Sequence, residues 1–131
     1  MDHYTVYSEV VSKKNNKEIC RRGNKSFLIS SKRFRDWHEQ AVPQIMAQKP
    51  GKKVYDHNCK IYIEFYHDSY RRKDADNGQT SIFDLLVDCG VLVDDNWQIL
   101  PRGMFENYYD KLQPRAEIYI YDKDEETGIV F

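Results

Sequence analysis

Between Cys59 and Asp68 the chain reads CKIYIEFYHD. Ile61, Ile63 and Phe65 alternate with Lys60, Tyr62, Glu64 and Tyr66. A period of two places these sets on opposite faces of a strand, one apolar and one mixed. Past a polar stretch the period changes. Ile82, Leu85, Leu86 and Cys89 fall on one stripe, which predicts a helix from about Gly78 or Gln79 to Cys89. Gly90 stands where a left-handed cap would end it. A strand with one apolar face, followed by a helix with one apolar stripe, is satisfied by packing helix on sheet.

The remaining pattern extends that frame. Tyr4–Val11 and Phe27–Ser30 read as strands, and Arg115–Lys123 as a second alternating strand. The apolar run WQIL, ended by Pro101, reads as one more. Phe34, Trp37, Ala41 and Ile45 form the stripe of a helix from about Ser31 to Ala47, capped by Ser30 or Ser31. Pro43 falls inside it and is expected to kink or split it. Residues 12–26 are polar and basic, which suits a flexible loop or an irregular hairpin arm. The expected order is β-β-α-β-α-β-β, an α/β domain whose helices pack on one mixed sheet. With 131 residues and no linker or repeat, residues 1–131 read as a single domain.

Composition narrows the function classes. No apolar run approaches the roughly 18 residues of a membrane span, and the first residues lack a signal peptide's pattern. The expectation is a cytoplasmic protein without a membrane partner. Cys20, Cys59 and Cys89 are odd in number and far apart, so reduced thiols are expected. HEQAV at His38 begins like a zincin motif, but Val42 stands where the second His belongs. No glycine-rich phosphate loop calls for a nucleotide cofactor. Residues 1–73 hold 16 Lys and Arg against 8 Asp and Glu, a balance of +8. Residues 74–131 hold 4 against 13, a balance of −9. A basic half can track a phosphate backbone, whereas an acidic half repels one unless cations occupy its carboxylates.

The chemistry concentrates in YRRKDADN, Tyr70 to Asn77, and in LVDDNW, which holds Asp94 and Asp95. Asp74 and Asp76 stand at i and i+2, so in extended backbone they project to the same side. The chain then enters the helix, reverses at Gly90 and returns through VLV, so Asp94 or Asp95 can meet the first pair. Converging carboxylates repel unless a hard divalent cation is shared between them. Arg71, Arg72 and Lys73 are suited to grip flanking phosphates. The alternative is plain turn and cap chemistry, for which Asp and Asn are common.

The segment RRKDADN…IFDLLVDCGVLVDD resembles the RusA family of Holliday-junction resolvases. The family pattern is a basic run, D-x-D-N, an amphipathic helix ending near a Gly, an apolar run and D-D. Here those parts are Arg71–Lys73, Asp74 to Asn77, Ile82 to Cys89, Gly90, Val91–Val93 and Asp94-Asp95. The resemblance implies a RusA-like fold and a small dimeric nuclease of bacterial, phage or prophage setting. It implies that Asp74, Asp76 and Asp95 are catalytic and bind Mg²⁺ or Mn²⁺, with Asp94 assisting. The implied substrate is a four-way junction or branched DNA, nicked symmetrically by a homodimer in recombination and repair. Further backbone contacts fall to Arg21, Arg22, Lys32, Arg33 and Arg35, and Phe83 is either packing or a base-stacking aromatic. One departure stands out. The family's Lys, four residues after the second Asp, is Thr80 here. Lys73 or Lys60 would have to take its place, or the chain binds junctions while cutting them slowly or not at all.

Overall fold

The computed structural model of the protein describes residues 1–13, 17–72 and 78–131. Six strands and two helices follow in the order β1 (Asp2–Val6), β2 (Lys17–Arg22), β3 (Lys25–Ser30), α1 (Lys32–Gln48), β4 (Cys59–His67), α2 (Gln79–Asp88), β5 (Arg102–Tyr109) and β6 (Arg115–Asp122). Four strands form a mixed sheet in the order β1-β6-β4-β5. β4 pairs antiparallel with β6 and parallel with β5, so β4-α2-β5 is a crossover unit. β2 and β3 form a separate two-stranded hairpin.

The alternation read in the sequence positions the core. Ile61, Ile63 and Phe65 of β4 join Ala116, Ile118 and Ile120 of β6 and Tyr4 and Val6 of β1 under both helices. Phe34, Trp37, Ala41 and Ile45 of α1 are all buried, as are Ile82, Leu85, Leu86 and Cys89 at α2. The opposite sheet face is aromatic and polar. There Tyr66 stacks on Tyr108, the Arg115 guanidinium lies 3.9 Å from the Tyr66 ring centre, and the Tyr62 hydroxyl donates to Glu64.

Four expectations are corrected. A strand, β2, occupies part of the basic segment expected as a flexible loop or an irregular hairpin arm, which adds one element to the order. The fifth strand begins after Pro101 rather than at Trp97; Trp97 to Ile99 form a turn, and Trp97 is 76% exposed. Asn96 shapes that turn, because its side-chain oxygen accepts the backbone N–H of Gln98. β1 runs over Asp2–Val6, not Tyr4–Val11. Pro43 neither ends nor splits α1, which continues to Gln48. It faces solvent, as does Glu39 one turn back, so water can take the carbonyl that Pro43 leaves without a donor.

Candidate active site

The path from α2 to the second acidic pair is fixed bond by bond. Gly90 takes φ 72°, a conformation that favours glycine. The Gly90 N–H donates to Val87 O at 3.0 Å and the Val91 N–H to Leu86 O at 2.9 Å, a Schellman cap. The returning run is then clamped to Tyr55. Tyr55 N–H donates to Val91 O at 2.8 Å, and Val93 N–H to Tyr55 O at 3.1 Å. The next two residues are Asp94 and Asp95.

Asp94 closes the turn that presents its neighbour. Its Oδ1 accepts the Asp95 backbone N–H at 2.7 Å, and its Oδ2 accepts the Asn96 amide at 2.9 Å. The Asp95 N–H first, then the Asn96 amide, hold the Asp94 carboxyl below the usual carboxylate range. Asp95 is exposed and lines a cavity of about 210 Å³. Gln79 and Phe83 of α2, Ile61 and Ile63 of β4, and Arg102 and Met104 of β5 line it too. The return run thus brings Asp95 to the first turns of α2, just past the D-x-D-N segment.

The start of α2 lies hard against β4. A Cβ built on Gly78 would come 2.4 Å from the Phe65 ring, and that ring is buried. Glycine is what allows this approach. Before the first acidic segment, the Tyr70 ring packs 4.4 Å from that of Tyr109, centre to centre. At the end of β4, His67 lies 2.9 Å from Glu9 and 2.7 Å from the Asn107 side-chain oxygen. Arg71 and Arg72 leave this anchored point exposed to solvent.

Lys73, Asp74 and Asp76 lie outside the described residues. Of the other expected residues, Asp95 and Phe83 share the cavity; Phe83 is half-buried and also packs on the core. Thr80 is exposed on α2. Lys60 is turned away from the site. It lies on the sheet face opposite the cavity's Ile61 and Ile63, and its Nζ donates to Glu125 O at 2.7 Å. Arg21 and Arg22 are exposed on β2. Arg33 is exposed on α1, while Lys32 pairs with Asp36 at 2.6 Å and Arg35 donates to Ser30 O. Arg102 is a cation that sequence reasoning missed. Its signal was its place directly after Pro101, at the mouth of a strand assigned five residues too early.

The root of the basic segment docks on α2. The Lys13 backbone N–H donates to Ser81 Oγ at 2.9 Å, and that hydroxyl donates to Val11 O at 2.6 Å. Among the described residues, no helix is long and apolar enough to cross a membrane. None of the curated proteins matches the chain. A family model described as Endodeoxyribonuclease RusA matches residues 9–121, a span that holds α1, α2, the sheet strands β4 and β5, all but the last residue of β6, and both acidic segments. By that match the chain belongs to the RusA endodeoxyribonuclease family.

Proposed function

We propose that the protein is a metal-dependent endodeoxyribonuclease that resolves Holliday junctions by paired phosphodiester hydrolysis. The observation that carries this reading is the place of Asp95: an exposed carboxylate at a cavity beside the first turns of α2, in a chain of this family. Asp74, Asp76 and Asp95 would hold Mg²⁺, or Mn²⁺ in its stead. Carboxylate oxygens are the hard donors these ions take. When bound, the metal supplies Lewis acidity and an activated water.

The chain's own residues do the rest. Asp94 acts through the turn it closes, holding Asp95 in position. Arg71, Arg72 and Lys73 grip the flanking phosphates, and Arg102 offers positive charge at the cavity where Thr80 cannot. Phe83 offers a ring at the same cavity on which an unpaired base can stack. Two copies related by two-fold symmetry would match a symmetric four-way junction and nick opposing strands. The setting is the cytoplasm of a bacterial or phage-infected cell.

A second reading follows from Thr80: a protein that binds branched DNA and cuts it slowly or not at all. Nicking of a synthetic four-way junction in EDTA, Mg²⁺ and Mn²⁺, with linear duplex as control, separates the two. The expected result is symmetric, metal-dependent nicking of the junction alone, abolished by Asp95→Asn in a protein that stays folded. Binding without nicks in either metal would favour the second reading. Intact cutting by Asp95→Asn would overturn the site.

A further inference from the structure

We propose a second metal site, for a zinc-class divalent ion, formed by His38 of α1 with Asp84 and Asp88 of α2. One ligand atom from each lies within 4.8 Å of the others. His38 Nε2 is 2.9 Å from Asp88 Oδ2 and 3.8 Å from Asp84 Oδ2. Zinc bonds of about 2.0–2.2 Å to nitrogen and oxygen put tetrahedral ligand atoms about 3.3 Å apart. The observed separations bracket that value.

Three independent features point to a cation. First, His38 Nε2 is shut off from solvent and has no hydrogen-bond partner among the described residues. The Asp88 oxygen is an ion-pair contact at 2.9 Å but out of hydrogen-bonding alignment, so the nitrogen is aimed between two carboxylates with a hydrogen bond to neither. Second, Asp84 and Asp88 are i and i+4 on one helix face, where like charges repel. Lys13 takes only Asp84 Oδ1, at 3.1 Å, which leaves Oδ2 toward His38. Third, Asp88 is the last residue of α2, where the helix dipole disfavours a carboxylate, and no basic residue stands in that last turn. One imidazole and two carboxylates suit a borderline ion such as Zn²⁺ or Co²⁺ better than Mg²⁺.

None of the three residues lines the Asp95 cavity, and the inference rests on no part of the nuclease reading. The ion would tie α1 to α2 beside the point where Lys13 and Ser81 hold the root of the basic segment. It would thus fix α2, which begins just past the first acidic segment of the sequence, against the helix that follows the hairpin.

Trp37 provides the readout. Its ring lies 6.5 Å from that of His38, and the chain's other tryptophan, the exposed Trp97, can be replaced by Phe. Co²⁺ titrated into the full Trp97→Phe chain is expected to quench Trp37 fluorescence saturably, with one ion per chain, and Zn²⁺ is expected to displace it. Asp88→Asn, a half-exposed change that keeps the side chain's shape, is expected to weaken binding by more than the roughly 10–100-fold that loss of a mere supporting partner costs. His38→Gln should do the same. Asp95→Asn should leave the titration unchanged. The proposal falls if no saturable quenching occurs, in which case His38 is an ordinary ion-pair partner. It falls equally if Asp88→Asn and His38→Gln bind as the parent does, or if only Asp95→Asn loses the ion.

Discussion

At the residue scale, Gly78 and Arg102 carry the most consequence for the site. A methyl group at Gly78 would strike a buried ring. Gly78→Ala is therefore expected to destabilise the fold by about 1–3 kcal/mol, the usual cost of overpacking, read as a lowered midpoint in denaturant. Arg102→Gln should slow junction nicking by about a hundredfold while junction affinity changes little, if Arg102 supplies charge to the transition state. An unchanged single-turnover rate would remove it from the site. His57 gives a pH signature elsewhere. It sits 2.7 Å from Asp122 and 3.0 Å from Asp56, and these hydrogen bonds, Asp122 first, raise its pKa above the ordinary 6.5. Lys53 and then His57 in turn hold Asp122 below its ordinary 3.8. The raised His57 contributes stability that is full below pH 6.5 and fades as pH rises through its folded pKa. The depressed Asp122 contributes stability above pH 3.8 that fades as acid protonates it. His57→Gln should thus lower the melting temperature near pH 5.5 and leave it unchanged near pH 9; a constant difference would show that packing, not charge, is at work.

Elements were legible where period and burial agree. Both helix stripes and the strands at Cys59 and Arg115 were readable because each has one face in the core and one outside. Of the hairpin, the strand at Phe27 was readable, whereas the segment before it read as either a loop or an irregular hairpin arm, because its described residues carry no buried face. Ile19, Phe27 and Leu28 are exposed, so burial imposed no alternation on Ile19 to Arg22. WQIL misled for the opposite reason: its apolar letters are split between an exposed Trp97 and a half-buried Ile99 within a turn. The site divides the same way. Asp95's return toward α2 followed from a helix of known length and a glycine cap, whereas Arg102 came into reach only through the parallel pairing of β5 with β4, which no local pattern encodes. The exposed Arg21 and Arg22 on the hairpin make its role measurable. If both touch the DNA backbone, replacing them with Gln should reduce the slope of log affinity against log salt by about 0.9 for each contact. An unchanged slope would place the hairpin away from the nucleic acid.

At the scale of the whole molecule, the uneven charge of the two halves is partly mixed by folding. Lys13 meets Asp84 and Lys53 meets Asp122, both pairings of the basic half with the acidic half. Paired cleavage requires two copies, so sedimentation at micromolar concentration is expected to show a dimer, and a monomer would count against symmetric resolution. The sheet order has a separate bearing on how the protein is made. β6, the last strand in the chain, lies between β1, the first, and β4. A ribosome that has not yet released Arg115–Asp122 holds a chain in which β1 and β4 lack their common neighbour, so the sheet beneath the Asp95 cavity cannot be completed before those residues emerge. Chains stalled after Tyr109 should remain open to protease, and junction nicking should require Arg115–Asp122.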